Sequence, residues 1–184
     1  MNCHYQKIAN YLAFAEKEYN ISICIKDYSG FIPVNRELDE ALQPFLTHAN
    51  AFCMYIKSDR HIYHKCLTMI RKMNNRFRKD RCTFFGMCHA GLCEYVTPII
   101  NGDFIIGFFG GYDALALNRI HHVCAQSELL SEEEAVRLYR KSFTPPTISP
   151  EVLIPTMELI AEYLSMTYDT IKDTHDASMR RRSS

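Results

Sequence analysis

The sequence predicts an α+β domain: an antiparallel sheet with helices packed on one side and a long C-terminal helix. Three observations carry this. Apolar residues recur at helical spacing in the first 80 residues and again after residue 130. The middle of the chain switches to short apolar, glycine-containing runs joined by Asn101-Gly102-Asp103, a strong hairpin signal. Leu153, Met157, Ile160, Leu164, Tyr168 and Ile171 then form one unbroken helical stripe.

The elements follow in order. Ile8, Tyr11, Leu12, Ala15 and Tyr19 fall on one helical face, predicting a helix over 4–18. The alternating run at 21–25 reads as a strand, and Asp27-Tyr28-Ser29-Gly30 as the turn after it. Asn35 caps a short helix over 37–46 with acids in its first turn. A second short helical piece spans 50–57. Ser58 or Asp59 then caps a longer helix to about Phe77, with Ile62, Cys66, Met69, Ile70 and Met73 as its apolar stripe. Strands are expected over 83–87, 93–100 and 104–112. Six of the seven glycines lie between Gly86 and Gly111, where they permit close backbone approach. Ser131, with Glu134 at the capping-box position, opens a helix that Thr144-Pro145-Pro146 ends. Pro150 stands at the favoured first position of the last helix, which runs to about Thr174. The tail from Arg180 reads as frayed.

Composition narrows the function classes. The 184 residues suit one domain with an appended helix, and 47% hydrophobic content is enough for a real core. The formal net charge is zero, so nothing global points to nucleic acid or an acidic membrane. The basic face of 57–81, with nine Lys/Arg against two Asp, reads as a solvated helix face without a helix-turn-helix pattern. No direct nucleic-acid binding is expected. No apolar run approaches the ~18 residues that span a bilayer, and the N-terminus lacks a signal-peptide pattern. The expected location is cytoplasmic, with no membrane contact. In a reducing compartment the eight cysteines are core residues, metal ligands or reactive thiols rather than staples.

The densest chemistry is Cys82, Cys88, His89, Cys93 and Glu94, with Cys53, His61, His64 and Cys66 upstream. Thiolate and imidazole suit zinc and iron. No Cys-x2-Cys occurs, so the spacing is not that of a zinc finger; buried structural cysteines are the alternative. A thiol enzyme is the catalytic rival, with Cys88 paired to His64 or His121. Adjacent Cys88 and His89 on a strand would point to opposite faces. No third orienting residue announces itself, and no catalytic residue is assigned. Gly107, Gly110 and Gly111 lack the Gly-Lys-Ser/Thr of a phosphate loop and read as a tightly packed strand.

With these residues in view, the chain resembles the PocR sensory domain family. The likeness runs through Phe52-Cys53-x-x-Ile56, His64-Lys65-Cys66 and Cys88-His89-Ala90-Gly91-Leu92-x-Glu94. It continues through Pro98-Ile99, Asn101-Gly102 and Ile106-Gly107-Phe108-Phe109-Gly110-Gly111. The resemblance implies a PAS-like fold and a small-molecule sensor rather than an enzyme, serving a bacterial signalling or transcriptional regulatory system. Family members are thought to sense small organic molecules such as diols. It places a sensory domain at 1–147 and a signalling or dimerisation helix and tail at 148–184. In such a fold the ligand sits between sheet and helices. Val96, Ile99, Ile106 and Phe108 or Phe109 would form one wall. Phe52, Tyr55 and Ile56 would close it, with Tyr63, His64, His89, Glu94 and Tyr112 as polar members. Cys53, Cys66 and Cys88 match the family's recurrent cysteines. With His89 they form the expected set for a metal ion, an iron-sulfur cluster or a redox response. Where the family often has Gly-Gly-Gln, this chain has Gly110-Gly111-Tyr112. A homodimer through the C-terminal helix is the expected partner, and on the sequence Leu164→Asp should weaken it.

Overall fold

The computed structural model describes residues 3–111 and 114–182. In chain order the helices and strands are α1 (Cys3–Tyr19), β1 (Ser22–Lys26), α2 (Phe31–Val34), α3 (Arg36–Leu42), α4 (Ala51–Ile56), α5 (Arg60–Phe77), β2 (Phe84–Met87), β3 (Leu92–Pro98), β4 (Phe104–Gly110), α6 (Ala114–Cys124), α7 (Glu132–Ser142) and α8 (Pro150–Arg182). The four strands form one antiparallel sheet in the order β1-β4-β3-β2.

Capping fixes where the helices start. The Asn35 side chain accepts from the Leu38 amide at 3.1 Å, and Asn50 accepts from Cys53 at 2.8 Å. Of the two candidates for α5, Asp59 is the cap, accepting from His61 and Ile62 at 2.8 and 3.0 Å. Ser131 caps α7 as expected. The β3–β4 hairpin turns on Asn101 and Gly102, both in the left-handed region with φ of 54° and 86°. Asp103, after that turn, is fully buried. Its carboxylate accepts from the Tyr28 and Ser29 amides at 2.7 and 2.9 Å and from the Ser29 hydroxyl. One charged group thereby ties the β1–α2 loop to the far hairpin.

The α+β class, the antiparallel sheet and the long C-terminal helix stand as expected. The helices, however, cover both faces of the sheet rather than one. Strand alternation sorts the sheet residues into two cores. Cys24, Ile106, Phe108, Val96 and Leu92 face α4, α5, α6 and α7. Ile23, Ile25, Ile105, Tyr95 and Ile99 face α1, α2, α3 and α8. β3 and β4 are accordingly buried along almost their whole length. Two helices lie outside the sequence expectation: the four-residue α2, and α6, which seats Ala116, Ile120 and Val123 in the first core.

The stripe expected to meet a partner copy is turned inward. Leu153, Met157, Ile160 and Leu164 of α8 pack on the molecule's own sheet, where Met157 closes to 3.3 Å of the space above Gly107. The outward face of α8 carries Val152, Leu159 and Met166 instead, spaced by seven. Leu164 has no solvent exposure and Leu159 has 68%. Leu164→Asp therefore buries an unpaired charge and should cost about 4 kcal/mol or more of folding stability. Leu159→Asp should stay within about 0.5 kcal/mol. Urea denaturation of the two variants checks this; equal losses would mean that α8 does not pack as described.

Candidate functional site

The first core is not filled. A cavity of about 60 Å³ lies between the inner face of β3 and β4 and the helices α4 and α5. That is room for a few waters or a molecule of a few heavy atoms. Phe52, Ile56, Met69, Ile70, Leu92, Ile106 and Phe108 give it mostly apolar walls. Cys53, Cys66, Cys88, His89, His48, Glu94, Lys26 and Lys57 supply its polar and sulfur groups.

Each side chain has a traceable reason to be there. Helix phase points Phe52, Cys53 and Ile56 inward from α4 and Cys66, Met69 and Ile70 inward from α5. Strand parity places Glu94 opposite Phe108 and Gly86, in a row across the inner face. Cys88 and His89 sit in a tight turn rather than on a strand. The Gly91 amide donates to the Cys88 carbonyl at 3.1 Å, and the Cys88 amide to the Leu92 carbonyl at 2.8 Å. Turn geometry frees the two neighbours from alternation, so both line the cavity. Gly91 has φ of 90°, and a β-carbon there would lie 2.6 Å from the Ala116 carbonyl oxygen of α6. The buried Tyr139 hydroxyl fastens this turn from outside. It lies 3.0 Å from the Gly91 carbonyl and 2.8 Å from that of Gly111, and accepts from the Gly111 amide at 2.9 Å.

Burial disfavours the charged forms of the cavity's carboxyl and imidazole groups. Glu94 is 2% exposed, and burial raises its carboxyl to about 7. Burial lowers His48 to about 3, helped by Lys57 and Lys26, and lowers His89 to about 4, helped by Lys65 and Arg119. Among the described residues, three buried polar atoms on this wall have no hydrogen-bond partner: Glu94 Oε2, His89 Nδ1 and His48 Nε2. An unsatisfied buried polar group costs about 1–3 kcal/mol, so the cavity concentrates unmet bonding capacity.

The cysteines are neutral thiols. Burial pushes Cys66 up to about 11, and raises Cys53 and Cys88 as well, Glu94 adding to the effect on Cys88. An activated nucleophile requires the reverse shift. The Cys66 Sγ lies 3.6 Å from His89 Nε2, and Cys88 Sγ accepts from the Leu92 amide. Neither His64 nor His121 lines the cavity with Cys88; His121 pairs with Glu132 at 2.7 Å. Cys53, Cys66, Cys88 and His89 do surround one cavity, yet among the described residues no three His, Cys, Asp or Glu side chains converge as a metal-holding group.

Of the expected ligand residues, the structure brings Phe52, His89 and Glu94 to the cavity and leaves others away. The Tyr55 hydroxyl accepts from the Ser131 amide at 2.7 Å, joining α4 to α7. Tyr63 is exposed on α5, and His64 lines an open groove outside the cavity. Ile99 and Phe109 belong to the opposite face of the sheet. Tyr112 lies outside the described residues. His48, Lys26 and Lys57 join the site without having been expected.

A family model described as the sensory domain found in PocR matches residues 5–170 of the chain. No curated protein and no solved structure matches it at a significant level. Among the described residues no helix is long and apolar enough to cross a membrane.

The Glu94 shift has a sign that can be checked. With its folded value near 7 and the ordinary value at 4.5, the folded state holds a proton that the unfolded state has lost between those limits. Its contribution to stability is full below about pH 4.5 and is lost as pH rises through 7. Glu94→Gln should remove that loss. Its stability relative to the native chain should climb from pH 4.5 to 7, by up to about 3 kcal/mol, and then level off. Urea titrations across this range measure it; a difference independent of pH would place the Glu94 carboxyl in water.

Proposed function

The chain belongs to the PocR sensory domain family, and from that premise we propose that its internal cavity binds a small, neutral organic molecule bearing hydroxyl groups. The observation that carries this reading is the set of three partnerless buried atoms, Glu94 Oε2, His89 Nδ1 and His48 Nε2, around one mostly apolar cavity. A hydroxyl both donates and accepts, so a short molecule with two of them can satisfy groups whose protonation differs. The walls suit an uncharged body, because burial disfavours charge on Glu94, His48 and His89. Binding would favour the filled form of the domain and so shift an equilibrium. The output would serve a signalling or transcriptional regulatory system in a bacterium, with a downstream effector reading the state of the domain.

The test is thermal unfolding with ethane-1,2-diol, 1,2-propanediol and 1,3-propanediol over a concentration series. At 100 times Kd a bound diol adds about 2.7 kcal/mol, so the native Tm should rise with concentration for at least one. Ala90→Leu, which pushes a larger side chain into the cavity wall, should lose that rise while keeping its far-UV spectrum. A native Tm indifferent to all three, or an equal rise in the variant, would sink the reading.

A second reading keeps the cavity and makes its sulfur the sensor of a metal or of redox state. It is supported by the meeting of Cys53, Cys66, Cys88 and His89 around one space. A native mass spectrum of anaerobically purified protein separates the two. Excess mass matching an ion or cluster, lost in Cys53→Ser, favours the metal form. A bare polypeptide mass removes it.

A further inference from the structure

Beside α6, the outer side of α5 forms an open groove of about 510 Å³. It is separate from the internal cavity but shares His89 and Met69 with it. Helical spacing aligns His61, His64, Lys65 and Lys72 along one side of α5, and Arg119 reaches the groove from α6. The 18 residues of α5 include no acid, and among the described residues no carboxylate lines the groove. Lys65 donates there to the neutral Gln126 amide oxygen. In a chain whose formal charges sum to zero, three permanent cations around one concavity create a local positive field.

His89 stands between the two spaces, its Nε2 3.6 Å from the Cys66 Sγ.

We propose that this groove is a second binding site, for a compact organic dianion such as a phosphate ester or a dicarboxylate, held by Lys65, Lys72 and Arg119. Its concave shape and its Met69 and Met87 floor favour a small molecule over an extended phosphate backbone. The site does not depend on what fills the internal cavity.

The experiment is calorimetric titration of the full chain with inorganic phosphate and with succinate at fixed ionic strength, followed in parallel by the histidine ring resonances. Saturable binding of at least one probe, with the His64 signals shifting, is expected. The double variant Lys72→Gln, Arg119→Gln changes exposed residues and should weaken binding at least tenfold. The control Arg140→Gln, Lys141→Gln on α7 makes the same charge change and should stay within twofold. The phosphate and succinate arms tell which dianion is preferred. Equal weakening in both double variants, or failure of both probes to saturate, overturns the proposal. So does displacement of the probe by a random-sequence DNA duplex that binds more tightly, which would make the face a nucleic-acid surface.

Discussion

The two central strands of the sheet have no solvent-facing side, and most of the molecule follows from that. A half-exposed antiparallel sheet can place its polar residues in water on alternate positions. Here β3 and β4 are covered above and below, so a polar residue on either strand must be answered inside the protein. Asp103 is answered by two amides and a hydroxyl. Glu94 is not answered at Oε2, and a cavity lies in front of it. Two-sided burial also absorbs the apolar stripe of α8, since the second face needs a cover as long as its strands.

The cavity brings together groups whose charged forms burial disfavours and whose bonding capacity it leaves unmet. This distinguishes it from a packing defect, which is lined by apolar atoms and stays dry. Cys53, Cys66 and Cys88 are all pushed toward the thiol. The charged lysines lie at the same wall as His48 and depress its basicity without bonding to its ring.

Much of the architecture was legible in the sequence because local signals and tertiary outcome agree. The hairpin at Asn101-Gly102, the caps Asn35, Asp59 and Ser131, and the inward phase of Ile62, Cys66 and Met73 are all local. What was hidden has specific causes. α6 opens on Ala114-Leu115-Ala116-Leu117, which alternates as a strand would and follows directly on β4. α2 is too short for any period to show. His48 lies in an irregular segment, and only tertiary folding brings it 3.7 Å from the Phe108 ring. Cys88 and His89 look incompatible on a strand, and a turn resolves them. His64 was recoverable, because it is out of phase with the buried stripe of α5 and so had to point away, whereas Tyr63 lies at the edge of that stripe. One-sided packing was the costliest inference. Cys24 beside Ile23 and Ile25, and Glu94 among buried neighbours, already describe strands apolar on both faces.

The same two-sided sheet connects the cavity to α8. Phe108 lines the cavity on one face of β4, and Gly107, the residue before it, faces α8 on the other. With no side chain at Gly107, Met157 rests almost on the strand backbone, its sulfur and terminal methyl 3.3 Å from where a β-carbon would stand. A displacement of β4 on the cavity side would therefore meet Met157 without an intervening side chain, since packed interiors are dense and transmit strain. Gly107 thus seats the long helix directly on the strand that carries Phe108.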